Sequence, residues 1–305
     1  LLFSKALGKA LDDIAGNPTI FIPSIIAAIL VGGLSLILIK SMEKLGLTLF
    51  EMAIGGMETL TESMLHLSTL WILFLIINIL VTAFVESTTL AMTKDLFTAK
   101  KTSLAIAWSG LGKHFTQILI FDILLLIILL VVTLFVGTAL LIPFLLSGKL
   151  FDPTKIPGTF TWICLVLTGL GLTMVVYALL LFSRVSIVVD GKGVLEGIRR
   201  SYNFAIHQPG AVLFYGLSKL FALGAVFILT WIIGFPLIGL AEPEPDKLLG
   251  LPLAGIIMVQ TILTYFVNAV FYTIKTNIYC FGVGLEEASE TSETWVASGS
   301  ETGQP

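Results

Sequence analysis

The chain has 305 residues, 56% of them hydrophobic and 12% charged, with a formal net charge of −3 and a mean hydropathy of +1.01. Soluble domains carry about 25% charged residues. This composition therefore excludes a water-soluble globular fold, and with it disorder, a collagen-like fold and a disulfide scaffold. The negative net charge leaves no global basic field for nucleic acid, and no nucleic-acid partner is expected.

A helix needs about 20 apolar residues to cross the hydrocarbon core of a bilayer. Six stretches meet that length: Thr19–Ile39, Thr69–Met92, Phe115–Ser147, Thr159–Val189, Ala211–Leu240 and Leu251–Phe281. Runs such as Ile123–Val132 show no polar/apolar alternation, which rejects a transmembrane β-barrel. The fold class is all-α: a polytopic membrane protein of six transmembrane helices. Breaks are expected at Pro143, at Pro236 and at the Gly169–Gly171 pair.

In chain order, the opening segment places Phe3, Leu7, Ala10, Leu11 and Ile14 at helical spacing, with Lys5, Lys9, Asp12 and Asp13 elsewhere. It reads as an amphipathic interfacial helix that ends at Asn17-Pro18, where span one begins. Gly32-Gly33 in span one and Gly169-Gly171 in span four are small enough for close helix contacts. The acidic stretch Leu45–Leu67 that follows span one, with Phe50, Met52, Met57 and Met64, reads as an outer-surface helix or lid. After span two, Leu104, Trp108 and Leu111 form the apolar side of a second interfacial helix ending at His114-Phe115. After span four, Val194, Leu195, Ile198 and Tyr202 do the same in a third, ending at Gln208-Pro209. The tail 286–305 is rich in Ser, Thr, Glu and Gly and cannot bury a core, so it is expected to be disordered or loosely attached. Cys164 and Cys280 fall near opposite faces of the membrane and are read as free buried thiols. No short apolar stretch with a small-residue cleavage site opens the sequence, so no signal peptide is expected.

Lys and Arg set the orientation. Nine fall at the N-terminus and in the loops after spans two and four, against five on the other side, which also carries eight acids. Both termini are therefore expected in the cytoplasm of a multi-pass cell-membrane protein.

Each even span carries one ionisable residue near its cytoplasmic end: Glu86, Arg184 and Lys275, separated by 98 and 91 residues. The joints at Asn17, His114 and Gln208 are separated by 97 and 94 residues. Two independent landmarks thus give one period of about 95 residues. Residues 1–285 are read as one domain of three tandem helical-hairpin repeats, about 1–95, 96–190 and 191–285, each preceded by an interfacial amphipathic helix.

The stretch Arg184-Val185-Ser186-Ile187-Val188-Val189-Asp190-Gly191-Lys192-Gly193-Val194-Leu195-Glu196-Gly197-Ile198-Arg199-Arg200-Ser201-Tyr202, with the opening Leu7 to Pro23, resembles the signature of a broad family. That family includes the membrane domain attached to some glycerophosphodiester phosphodiesterases, and related six-span prokaryotic proteins. The resemblance covers most of residues 1–285. It implies a membrane domain without an activity of its own, because the phosphodiesterase chemistry belongs to a separate soluble barrel.

Asp122 in span three and Lys219 in span five lie at the depth of Glu86, Arg184 and Lys275, so five ionisable residues share one inner-leaflet slab. An intramembrane charge is costly, so such residues face the bundle interior and pair. Two readings stand. One is a polar cavity that binds an ion, a proton or a lipid headgroup. The other, preferred because residues near helix ends carry a reduced burial cost, is an internal ion-pair network. Asp122 and Lys219, the deepest, are expected to pair with each other. Lys192, Arg199 and Arg200 on the third interfacial helix are candidates to contact lipid phosphates, although ordinary positive-inside charge accounts for them too.

No Walker motif, HExxH or GxSxG occurs, and Gly191, Gly193 and Gly197 do not have the Rossmann spacing. Asp190-Gly191 reads as a turn and helix start. His66, His114 and His207 are isolated, so no metal, cofactor or catalytic residue is expected; His114 and His207 read as interfacial caps. Three functions remain: a non-enzymatic scaffold or accessory protein acting on lipids or on a membrane or cytoplasmic protein partner; a transporter or channel using the inner-leaflet cluster; and, weakest, a membrane-embedded lipid enzyme.

Overall fold

The computed structural model describes residues 2–52, 58–146, 159–240 and 250–285. The described chain is helical. A short helix, α1 (Leu2–Gly16), leads through a 3-10 turn (Pro18–Phe21) into α2 (Ile22–Met52). There follow α3 (Glu58–Ala99), α4 (Leu104–Leu146), α5 (Thr159–Leu180), α6 (Ser183–Val189), α7 (Val194–His207), α8 (Pro209–Leu240) and α9 (Gly250–Gly282). Six segments are long and apolar enough to cross a membrane: Pro18–Ser41, Met64–Ala99, Leu104–Phe135, Leu167–Val189, Pro209–Gly234 and Gly255–Gly282. These coincide with the six spans read from composition. Their outward faces are apolar, as at Ile72, Leu130, Phe221 and Ile233, which is what a lipid-facing surface requires.

The helices start and stop differently from the sequence expectations at several points. α1 does end at Asn17-Pro18, and α7 at Gln208-Pro209. At His114-Phe115, however, α4 runs on without a joint. Phe115, unlike Pro, donates its own backbone N–H, so the i→i−4 ladder continues. The breaks expected at Pro143, Pro236 and Gly169–Gly171 are also missing: α4, α8 and α5 pass through them. Inside a bilayer no water takes up freed carbonyls, so a single missing N–H is cheaper than ending the helix. Thr173 Oγ1 also donates to Gly169 O at 2.9 Å, backing the backbone there.

The break in span four comes instead at Leu181-Phe182, between α5 and α6. α7 repairs it. Ser201 is fully buried; its Oγ accepts from Phe182 N at 3.0 Å and donates to Leu179 O at 2.7 Å. Phe182 anchors an aromatic cluster there, its ring centroid 4.7 Å from Phe204 and 6.0 Å from Tyr215.

The short helical segments dock through small residues. A Cβ on Gly197 would stand 2.7 Å from Ile187 Cγ1 and 3.1 Å from Ser183 O. One on Gly110 would stand 2.3 Å from Ala91 Cβ and 3.0 Å from Ser87 O. α7 therefore lies hard against α6, and the start of α4 against α3. The buried face of α7 is Gly197, Ser201, Phe204 and Ala205; of the expected apolar side, Val194 and Ile198 pack against the core, while Leu195 is 78% exposed. Trp108 on α4 is likewise exposed. In lipid, close backbone approach is a large part of helix packing, so small residues mark the tightest contacts. Gly33 and Gly171, expected to sit in helix contacts, meet nothing within 4 Å, and Gly32 meets Met258 at an ordinary 3.6 Å.

The stretch Leu45–Leu67 is the distal end of α2 and the start of α3, separated by residues 53–57 outside the described set. It is not a separate surface helix. The tail 286–305 and the side chain of Cys164 also lie outside the described residues; Cys280 is a buried free thiol.

Candidate functional site

Burying a guanidinium at the depth of span four requires acceptors, and two other spans supply them. Arg184 Nη1 donates to Glu86 Oε1 at 2.8 Å. Its Nε and Nη2 both lie 2.8 Å from Asp122 Oδ1. Glu86 is 1% exposed and Asp122 7%. Arg184 thus ties α6 to α3 and α4 just after the break that frees it from α5. Its guanidinium also stands 5.4 Å from the centre of the Phe121 ring.

The pairing expected for Asp122 and Lys219 is not formed: Asp122 is bound to Arg184. The forked guanidinium reaches both carboxylates at once, which a single ammonium cannot. Lys219 lies instead 5.7 Å from the centre of the Tyr272 ring, and Lys275, 2% exposed, lies 5.2 Å from the same ring. Neither lysine has an ion pair among the described residues. The five residues of the slab do gather around one place. Three form the triad and two flank Tyr272, and their charges sum to one positive.

Above the triad an open cleft of about 470 Å³ separates α2, α3, α8 and α9. Glu86, Arg184 and Lys219 form its charged end. Its length is lined by Asn78 and Thr82 of α3 and by Gln260, Thr264 and Asn268 of α9. Along α9 the polar lining runs from Gln260 to Tyr272, about 18 Å, and along α3 from Asn78 to Glu86, about 12 Å, in a hydrocarbon core about 30 Å thick. Charge-by-charge reading of the sequence missed these neutral residues. The signal was present: Asn78, Thr82 and Glu86 recur every four residues, as do Gln260, Thr264, Asn268 and Tyr272, and a polar stripe in an apolar span points inward.

A second polar knot holds the α6–α7 turn. Asp190 Oδ2 accepts from Ser186 Oγ at 2.9 Å, Arg200 Nη1 at 2.8 Å and Tyr279 Oη at 2.6 Å. Gly191 turns the chain with φ +65°, so Asp190-Gly191 is the turn the sequence suggested. The neighbouring Asp190 carboxylate holds the Arg200 guanidinium above its ordinary pKa. Of the three candidates for lipid phosphate, Arg200 is committed to Asp190 and Glu196, and Lys192 approaches Glu196 at 3.9 Å. Arg199 is exposed and has no ion pair among the described residues. His207 Nδ1 bonds Asn203 O at 2.7 Å at the end of α7. His114 caps nothing, because α4 passes through it; it is buried, and its Nδ1 has no partner among the described residues.

Six apolar spans, an intramembrane ion triad and a polar cleft define a polytopic α-helical membrane protein. The chain belongs to the DUF7847 family, a domain of unknown function matched over residues 3–280. No curated protein and no solved structure matches it.

Proposed function

We propose that the protein is a non-enzymatic membrane-embedded accessory protein for lipids, whose α2–α3–α8–α9 cleft receives the polar headgroup of an amphiphile. The observation that carries this reading is the cleft itself. A bundle built only as a scaffold would close its centre with apolar packing. Here hydroxyl and amide side chains line a space large enough for a headgroup. Its carboxylate Glu86 is engaged by Arg184, which fits a binding role for the charged end of the cleft.

The same reading includes three tandem hairpin units in one domain, about 1–95, 96–190 and 191–285, with α1, the start of α4 and α7 at the cytoplasmic interface. Support comes from equivalent contacts. Ser87 and Ala91 stand to Gly110 as Ser183 and Ile187 stand to Gly197. α1 packs against α9, where Asn277 Nδ2 donates to Asp13 Oδ2 at 3.2 Å, so each unit's leading segment lies on the returning span of another. The excess of Lys and Arg at that end supports cytoplasmic termini. The resemblance to the membrane domain of glycerophosphodiester phosphodiesterases fits a lipid-related role.

The test is native mass spectrometry of protein released from bilayer nanodiscs. Wild type should retain a bound lipid. Thr264→Trp, which fills the cleft, should lower retention by about tenfold, or 1.4 kcal/mol. Equal retention would refute the reading. A second reading, transport, is favoured by the reach of the polar lining along α9, about 18 Å from Gln260 to Tyr272. Vesicle flux that Thr264→Trp abolishes, without lipid retention, would select it.

A further inference from the structure

A second, smaller cavity of about 180 Å³ opens at the α3–α4 connection, remote in sequence from the α9 residues of the cleft. Its walls include Lys94 and Asp95 of α3, Ser109, Lys113 and His114 of α4, and Val188 of α6. Gly110 and Ala91, which cross in close contact, also line it. We propose that this notch is a docking site for the phosphate of an anionic membrane lipid.

Four observations support that ligand. First, charge: Lys94 and Lys113 line the notch, against Asp95 alone. Second, donors: Lys94 Nζ is fixed by bonds to Val188 O at 3.3 Å and Val189 O at 2.7 Å. That holds the ammonium in place and leaves one of its three N–H groups for a ligand. The Ser109 hydroxyl and the Lys113 ammonium add further donors at the rim. Third, the wall is unsatisfied: His114 is 5% exposed and its Nδ1 has no hydrogen-bond partner among the described residues. A buried polar atom without a partner marks a place where a ligand or water completes the structure. Fourth, depth: Trp108, 64% exposed, sits on α4 beside Ser109. Exposed Trp marks the headgroup level of a bilayer, where lipid phosphates lie. The occupant is therefore a lipid phosphate and not a soluble one.

General attraction of lysines to an anionic surface gives about 1 kcal/mol per residue wherever they stand, so position is what the experiment must read. Protein in nanodiscs of mixed phosphatidylcholine and phosphatidylglycerol is released, and retained phosphatidylglycerol is counted by native mass spectrometry. Lys101→Gln, outside the notch, loses only the general attraction and should lower retention about fivefold. Lys113→Gln, inside the notch, loses the general attraction and the direct contact and should lower it about twenty-fivefold. Ser109→Trp, which fills the notch with no charge change, should lower it at least about fivefold. All three positions are exposed, so the variants should fold, which far-ultraviolet circular dichroism checks. Equal losses for Lys101→Gln and Lys113→Gln, or none for Ser109→Trp, would overturn the proposal. So would saturable uptake of inorganic phosphate in pure phosphatidylcholine nanodiscs with no preference for phosphatidylglycerol.

Discussion

Replacing Arg184 by Met removes the one cation bonded to both carboxylates of the triad. Three contacts of 2.8 Å vanish, one to Glu86 Oε1 and two to Asp122 Oδ1. The side chains left behind are 2% and 6% exposed. Lys219 and Lys275 lie over Tyr272 and are not placed to replace the guanidinium. Charge-assisted hydrogen bonds give about 1.5–3 kcal/mol each, but three bonds to one side chain do not add. Breaking a buried pair by deleting one partner costs about 3–5 kcal/mol, because the remaining charge has no compensation. Arg184→Met should therefore lose about 3–5 kcal/mol in a sodium dodecyl sulfate unfolding titration followed by tryptophan fluorescence. The triple variant Glu86→Gln, Asp122→Asn, Arg184→Met removes all three charges and should recover most of that loss. A loss under about 1 kcal/mol for Arg184→Met, or a triple variant as unstable as the single one, would refute the ion-triad account.

Gly197→Ala should destabilise by about 1–2 kcal/mol in the same titration, because contact with Ile187 and Ser183 outweighs the roughly 1 kcal/mol gain in helix propensity. Gly8→Ala, with nothing within 4 Å, should be neutral or stabilising. Ser201→Ala leaves Phe182 N and Leu179 O without their partner at the span-four break and should cost about 1–3 kcal/mol. Asp190→Ala takes away the acceptor of Ser186, Arg200 and Tyr279, so amide hydrogen exchange along α7 should quicken while exchange in α9 above Tyr272 should not.

The spans were legible because a bilayer admits few alternatives: length and apolarity decide which helices cross. That Glu86, Asp122, Arg184, Lys219 and Lys275 come near one another was foreseeable from helical rise. Which of them bond did not follow, because rotation about the helix axis and side-chain shape decide it. Arg184 took both acids, and Lys219 was left beside Tyr272. Helix ends were the least legible feature. Pro143 and Pro236 carry strong breaking signals in water that lipid suppresses. Leu181-Phe182 carries no local signal, and its break depends on Ser201, nineteen residues away. The apolar sides of α7 and of the start of α4 were only partly a guide: Val194 and Ile198 pack against the core, while Leu195, Tyr202 and Trp108 are exposed. In lipid, hydrophobicity does not say which side meets protein; Gly110, Gly197 and Ser201 do. The cleft lining was readable in the four-residue recurrence of Asn, Thr and Gln, once neutral polar residues are counted with the charges.

On the proposed function, the cleft beside Arg184 and Lys219 holds a headgroup. The most direct test is a density map of the protein in a lipid nanodisc. An ordered headgroup between α3 and α9, within hydrogen-bond distance of Lys219 or Arg184 and lost in Thr264→Trp, is the predicted result. A cleft that holds only water continuous to both membrane faces, or that closes on its own side chains, would contradict it.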